Sequence, residues 1–309
     1  MTTASNELAG RVAIVSGGGR GIGFAIAEDL TKHGAKVVIV DSGVSIAGAE
    51  ADANIAASAA AKLSGAVGID GDIAAPGVAE RAVKAAIDSF GGCDVVVNNA
   101  AILRDSLIFK ANFEAWDAVI RTNLTGAYRL LAAATPAMRE QAKNGRAPGA
   151  IINIVSSAGI YGNFGQSAYA AAKGGLFGLT RVVAHDLARS KISCNAIAPF
   201  AATRVTESIQ PANDAQAAYK QKAMQVSPLY VARLVSFLAS NAGNHISGQL
   251  FGARGRELFL FSQPRPRIKT VVAQGGADLD AMAAALKSFA PDFTDLVTDL
   301  EAFATDPIL

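Results

Sequence analysis

Cysteine is almost absent from this chain. Cys93 and Cys194 are the two in 309 residues, both set in apolar runs, so a disulfide framework is excluded and both read as small core residues in a reducing compartment. Histidine is nearly as scarce: His33, His185 and His245 lie too far apart for metal-ligand spacing, and no metal site is expected. Aromatics are 6% of the chain against a hydrophobic share of 51%, so the core is built from Ala, Val, Ile and Leu, as in parallel sheets covered by helices. Neither sign of charge dominates. The 28 basic and 26 acidic residues are scattered without a basic stripe, which argues against a nucleic-acid partner. No window approaches the ~18 uninterrupted apolar residues of a membrane span, and the opening MTTASNELAG carries no apolar export core. Membrane contact is not expected, and the expected location is cytoplasmic.

What the chain does have is alternation. An apolar run from Val12 to Val15 breaks into Ser16-Gly17-Gly18-Gly19-Arg20-Gly21-Ile22-Gly23 and resumes as an amphipathic segment from Phe24 to Leu30. Strand, glycine-rich turn and helix in that order is the context a dinucleotide-binding loop needs. Gly17, Gly21 and Gly23 let the backbone approach a pyrophosphate, which would sit at a helix N-terminus where free N–H groups and the dipole favour an anion. A second strand from Lys36 to Val40 ends on Asp41, 18 residues beyond Gly23 and close to the ~20 expected of a carboxylate that accepts from a ribose 2′-OH. Such a carboxylate repels a 2′-phosphate, so NAD is the expected cofactor and oxidation the expected direction. Arg20, able to reach a 2′-phosphate, argues the other way with less force.

Residues 42–62 read as a spacer leading into an Ala-rich helix. Further strands are expected from Ala66 to Ile69, Cys93 to Val97, Ala150 to Val155, Ile192 to Ala198, where Pro199 stops the chain, and near Gln249 to Phe251. Helices are expected from Ala79 to Phe90, continuously from Asn112 through Asn123 to Met138, around Tyr169, and from Pro228 to Leu238. An Asn inside a long apolar helix costs stability relative to Ala, so Asn123 has a job there. Asp72, after the third strand, suits the adenine amino group or a helix N-cap equally well. Strands alternating with helices in this rhythm predict an α/β fold, a doubly wound parallel sheet of Rossmann type with helices on both faces. Residues 1–252 form that domain, and 253–309 a C-terminal extension. Ligands of such sheets lie beyond the carboxyl ends of the strands. The glycine loop, Asn98, Ser156 and Pro199 all fall there, and one shared site is expected.

On the helix after the fifth strand, Tyr169 and Lys173 are four apart and so share a face. A fixed ammonium beside a phenol favours the phenolate and should pull the Tyr pKa down from its usual value of about 10. Ser156, thirteen residues before Tyr169, places a hydroxyl where it can hold an oxygen being oxidised or reduced.

Together these motifs resemble the short-chain dehydrogenase/reductase family over about residues 8–252: the glycine loop, Asp72, Asn98-Asn99-Ala100, Ser156 with Tyr169 and Lys173, and Asn195 to Pro199. Within the family the pattern is most similar to the (3R)-hydroxyacyl-CoA dehydrogenase module of peroxisomal multifunctional enzyme type 2 and its bacterial relatives. The segments Asn98 to Asp105, Gly159 to Gln166, and Cys194 to Pro199 with Thr203 to Thr206 behind it carry that likeness. The resemblance implies Tyr169 as general acid/base and Lys173 as holder of the nicotinamide ribose. It makes Ser156 the residue that orients the substrate oxygen, and gives Asn123 a water linking Lys173 to solvent. It also implies dinucleotide contacts from Gly17, Arg20, Gly21, Ile22 and Gly23, from Asp41, Asp72 and Ile73, from Asn99 and Ala100, and from Pro199 and Thr203 near the carboxamide.

Three positions depart from the family pattern. Ala101 and Phe200 stand where Gly is usual, Phe200 changing the wall near the nicotinamide, and Thr203 sits one place early. The expected substrate is a 3-hydroxyacyl-CoA, fatty or steroid-linked. A hydroxysteroid dehydrogenase, a 3-oxoacyl-carrier-protein reductase and a non-catalytic dinucleotide-binding regulator are the alternatives. The intact Asn123, Ser156, Tyr169 and Lys173 set argues against the regulator. A homo-oligomer, dimer or tetramer, is implied by the family. In the extension, Arg254, Arg256, Arg265, Arg267 and Lys269 alternate with apolar residues. They read as a lid or oligomer arm meeting CoA phosphates, or as a solvated packing extension.

Overall fold

The computed structural model describes residues 6–202, 206–207, 214–272, 279–303 and 305–309. Eight strands among them form one sheet in the order β3-β2-β1-β4-β5-β6-β7-β8. They are β1 (Val12–Ser16), β2 (Lys36–Asp41), β3 (Ala66–Asp70), β4 (Val95–Asn98), β5 (Ala150–Ile154), β6 (Ser193–Phe200), β7 (Leu250–Arg254) and β8 (Glu257–Leu260). All neighbours pair parallel except β7 and β8. The order turns about β1, whose neighbours are β2 and β4, and the crevice of a doubly wound sheet opens at that point.

Strands β1, β4 and β5 are buried along their whole length, which explains why they read as unbroken apolar runs rather than alternations. Side chains still alternate between faces. Ala13 and Val15 enter the layer shared with helix α1 (Gly21–Lys32), while Val12 and Ile14 enter the one shared with α3 (Val78–Phe90) and α5 (Gly126–Lys143). The first layer is completed by the helix Leu229–Ala239, which the sequence places almost to the residue.

Four features depart from the sequence reading. The helix expected to run unbroken from Asn112 is α4 (Phe113–Ile120), then a π-helical turn Arg121–Thr125, then α5. Pro199 does not end β6, which runs to Phe200. There β5 has already stopped, its last partner being Ile154 opposite Ile197, so the missing N–H of proline falls on an unpaired side. The stretch 42–54 is more than a spacer: Leu103 N–H donates to the Ile46 carbonyl at 2.8 Å and Arg104 Nε to that of Ala47 at 2.7 Å, holding it against the loop after β4. Finally, β7 spans the boundary expected at 252, and β8 adds an antiparallel strand beyond it. Gly255 makes the hairpin turn possible, since it has φ +55° and a Cβ there would meet the Ile308 carbonyl oxygen at 2.2 Å. Among the described residues no helix is long and apolar enough to cross a membrane.

Candidate active site

The glycine loop runs from the end of β1 into α1 and is packed too closely for side chains at two positions. A Cβ on Gly17 would lie 2.7 Å from Ala100 Cα, and one on Gly23 would lie 2.1 Å from the Gly17 oxygen. Gly21, at φ +55°, faces open space. Arg20 occupies the N-cap position of α1 without a side-chain cap, so the first N–H groups of that helix point at the crevice without a side-chain acceptor. This is a cradle an anion fits. Ser16, which the sequence reading passed over, ties the cradle to the β4 turn: its Oγ accepts from Asn99 N at 3.1 Å and Ala100 N at 3.2 Å. Asn99 Nδ2 returns a bond to the Gly17 oxygen at 2.9 Å.

Asp41 lines the same cleft with Arg20. Its two oxygens accept backbone N–H groups, Oδ2 from Gly19 at 2.9 Å and Oδ1 from Gly43 at 2.8 Å. The Arg20 guanidinium turns away to the Gly43 and Val44 carbonyls at 2.6 and 3.1 Å, leaving its buried Nε without a partner. Asp72 and Ile73 close the far wall. Asp72 is no N-cap, because α3 starts at Val78 with Gly77 capping; its Oδ1 instead accepts from Ala74 N at 2.9 Å and its Oδ2 pairs with Arg121. Asn98 does not join the site. It turns into the core and donates to Asn153 Oδ1 at 2.8 Å, and Asn153 in turn donates to Thr180.

Tyr169 and Lys173 lie on α7 (Ser167–Asp186), and Ser156 follows β5. Two clefts meet at Tyr169. The first, lined by the glycine loop, Asp41, Asp72, Asn99 and Ala100, includes Lys173; the second, a cavity of about 520 Å³, includes Ser156. Ile22, Val155 and Pro199 also belong to both. Phe200 lines only the second, with its ring 4.5 Å from that of Phe303, so it walls the side away from the glycine loop rather than the place expected for the nicotinamide. Thr203 lies outside the described residues.

The electrostatics differ from expectation. Lys173 is 2% exposed, and its Nζ donates to the Ile154 carbonyl at 2.7 Å. Burial lowers its pKa to about 8. The ammonium lies 5.8 Å from the centre of the Tyr169 ring, yet the phenol is not pulled down. Burial pushes it up to about 12, a hydrogen bond with Ser156 opposes this, and the Asp105 and Asp299 carboxylates add to the rise. A deprotonated phenol here would lose water and face two negative charges, which outweighs its lysine neighbour.

Asn123, buried at the π turn, has both ends of its amide occupied. Oδ1 accepts from Ile102 N at 2.8 Å and Nδ2 donates to Ile102 O at 2.9 Å. That pair of bonds fixes the loop wall at Ala101 and Ile102, and a water would have to share an amide already in use. The arginines of the extension divide too. Arg254 is buried, gripping Glu257 through two bonds of 2.7 and 2.9 Å, while Arg256, Arg265, Arg267 and Lys269 are exposed. No group of three or more potential metal ligands occurs among the described residues.

Residues 11–216 match the family model described as short chain dehydrogenase. Hydroxyacyl-CoA dehydrogenase ChsB1 of Mycobacterium tuberculosis is 38% identical over 85% of this chain and 83% of its own. A 3-oxoacyl-[acyl-carrier-protein] reductase of Synechocystis is 39% identical over 80% and 97%. Peroxisomal multifunctional enzyme type 2 of Mus musculus is 38% identical over 74% of the chain, which spans only 30% of that longer protein. A crystal structure of a short chain dehydrogenase from Mycobacterium avium superposes with a TM-score of 0.78 at 32% identity, covering 94% of this chain and 98% of that one. A doubly wound sheet whose crevice opens beyond a glycine loop, matched by a family model over two thirds of its length, makes this chain a member of the short-chain dehydrogenase family.

Proposed function

We propose that the protein interconverts a secondary alcohol and a ketone with NAD, acting on a 3-hydroxyacyl-CoA thioester. The observation that carries this reading is the placement of Tyr169 at the junction of two clefts, with Lys173 on the nucleotide side and Ser156 on the other. The first cleft suits a dinucleotide: a pyrophosphate against the uncapped start of α1 and the Gly17, Gly21, Gly23 loop, a ribose at Asp41, an adenine between Asp72 and Ile73, and the nicotinamide end near Asn99, Ala100 and Pro199. Bound there, the cofactor supplies or accepts the hydride. Ser156 then orients the substrate oxygen, and Tyr169 gives its proton to that oxygen in reduction and takes it back in oxidation, a step typically worth ~10²–10⁴ in rate. Lys173 holds the ribose, and Asn123 keeps the cleft wall in place through Ile102.

Asp41 supports NAD over NADP because its carboxylate lies in the cleft, while Arg20, on the same wall, commits its Nη2 to the Gly43 and Val44 carbonyls. The acyl-CoA assignment rests on the ChsB1 and multifunctional-enzyme likeness together with the roomy second cleft of about 520 Å³. Carrier-protein reduction is the second reading, supported by a relative of equal identity. Exposed Phe109, Phe113, Trp116 and Tyr128 around α4 and α5 support a homo-oligomer. The deciding experiment is a panel of matched 3-hydroxyacyl-CoA, 3-oxoacyl-carrier-protein and free hydroxysteroid substrates with NAD(H) and NADP(H). The expected order puts the CoA thioester with NAD first; a free steroid or carrier-protein substrate ahead by tenfold in kcat/KM overturns the substrate assignment.

A further inference from the structure

Arg121 opens the π turn between α4 and α5, and its side chain crosses to the loop after β3, where Nη1 donates to Asp72 Oδ2. The other oxygen of that carboxylate, Oδ1, accepts from Ala74 N at 2.9 Å. One contact is local and the other joins residues 49 apart in sequence, so the carboxylate is held from two elements. The rest of the turn is tied to the same cleft. Thr122 lines it along with Asp72, and Asn123 holds Ile102, another lining residue. Where the turn ends, α5 starts directly against the Asp72 loop: a Cβ on Gly126 would lie 2.8 Å from Ile73 Cγ2 and 3.4 Å from Ala74 N.

Two hydrogen bonds do not exhaust a carboxylate. Ionised, its two oxygens offer about four acceptor sites and no donor. Adenine presents an amino group, a donor, at the position where hypoxanthine presents a carbonyl, an acceptor. A carboxylate fixed at that edge accepts from the first and repels the second, whereas one free to rotate loses rotamer freedom on binding the amino group and can turn away from the carbonyl. The side chains of Arg121 and Asp72 are 53% and 29% exposed, so the pair is partly screened and its effect is a few-fold rather than orders of magnitude.

We propose that Arg121 is a positioning residue for the cofactor's base: by pinning the Asp72 carboxylate across the crevice, it makes the nucleotide cleft select an adenine dinucleotide over its hypoxanthine counterpart. It acts through Asp72, which lines the cleft. The inference rests on the adenine lying at Asp72, as in the reading of the first cleft given above. Arg81 supplies an internal comparison, being a second cation beside this loop that donates to the Asp70 carbonyl at 3.4 Å.

The test is calorimetric titration of the full chain with NADH, with reduced nicotinamide hypoxanthine dinucleotide, and with reduced nicotinamide mononucleotide, which lacks the adenosine half. The parent should bind NADH tenfold or more tighter than the hypoxanthine analogue. Arg121→Met should narrow that ratio about fivefold while affinity for the mononucleotide stays within twofold, and Arg121→Lys should restore most of the ratio. A narrowing of less than twofold in Arg121→Met overturns the inference. So does an equal narrowing in Arg81→Met, which would make general charge the cause, or a parallel loss of mononucleotide binding, which would mean that the cleft as a whole had been disturbed. Asp72→Asn separates the two levels of the argument, because its amide can turn an N–H toward the hypoxanthine carbonyl and should abolish the preference. If Asp72→Asn narrows the ratio and Arg121→Met does not, the adenine stands at Asp72 and the role of Arg121 alone fails. A ratio unchanged in Asp72→Asn, or a parent with no preference, overturns the placement of the adenine and the inference with it.

Discussion

At the scale of single residues, the site depends on three side chains that each meet a different partner. Replacing Tyr169 by Phe removes the proton carrier and leaves the ring that forms the junction of the clefts. Turnover should fall at least ~10²-fold while NADH affinity, read by nicotinamide fluorescence, stays within about twofold. Turnover kept above a tenth of the parent's would rule out the proposed chemistry. Asp41→Ala should narrow the preference for NAD over NADP, whereas an unchanged ratio means that the carboxylate does not face the ribose.

Lys173 offers a test by stability. Its pKa falls from the usual 10.5 to about 8 on folding, so between those values the unfolded chain binds the extra proton and stability rises with pH. Tyr169 has the opposite sign, but only above its ordinary value of 10. Over pH 8 to 10 the parent should therefore gain on Lys173→Met, by up to about 2–3 kcal/mol in urea melts. A difference that is flat or falls with pH contradicts the burial cost assigned to this lysine.

The strands and helices show where sequence patterns suffice and where they do not. Runs such as Val95 to Val97 announce strands buried on both faces, and the glycine loop announced its helix, because each signal is local. Pro199 misled because a proline's missing N–H matters only where a neighbour would pair with it, and only the three-dimensional neighbour list says that β5 has already ended. Asn98 misled for a related reason: its position at a strand end was legible, its turn toward Asn153 was not. Strand β8 has only four residues, and its signal lies in a pairing with β7. The π turn is the element with the sharpest test. Asn123→Ala strands the N–H and carbonyl of Ile102 in a buried place, and should cost about 2–4 kcal/mol in urea unfolding. Asn123→Asp, which keeps one of the two bonds, should cost less if the backbone clamp is the reason for this residue; equal losses would point elsewhere.

Across the whole molecule, distant segments close one site. The nucleotide cleft draws on the ends of β1, β2, β4, β5 and β6, so a dinucleotide should bind only the assembled sheet. NADH at 100 times its Kd should then add about 2.7 kcal/mol to stability, and NADPH at the same concentration less. A thermal shift equal for both would oppose the role given to Asp41. The sequence offered the tail as a lid, an oligomer arm or a packing extension, and there Arg254 was one of five basic residues alternating with apolar ones, with nothing to set it apart. In the fold it is the bolt between β7, β8, Phe303 and Thr305, and Arg254→Met should cost about 3–5 kcal/mol by leaving Glu257 unpaired in a partly buried place. A loss under 1 kcal/mol would mean that the tail docks by other contacts.

The π turn also settles a matter of angular phase. Val119, Asn123, Ala127 and Leu131 are all buried and follow one another at intervals of four. On an ideal α-helix each such step overshoots a full turn by about 40°, and three steps would swing the stripe about 120° around the axis, sending Leu131 toward water. One wider turn at Arg121–Thr125 takes up part of that drift, so the same stripe can face the loop at Ile102 at one end and the sheet at the other. Deleting a single residue there would leave a smoother helix and rotate everything before the deletion by about 100° against everything after it. The irregular turn is thus what lets one helical rod serve the clamp on Ile102 and the core together.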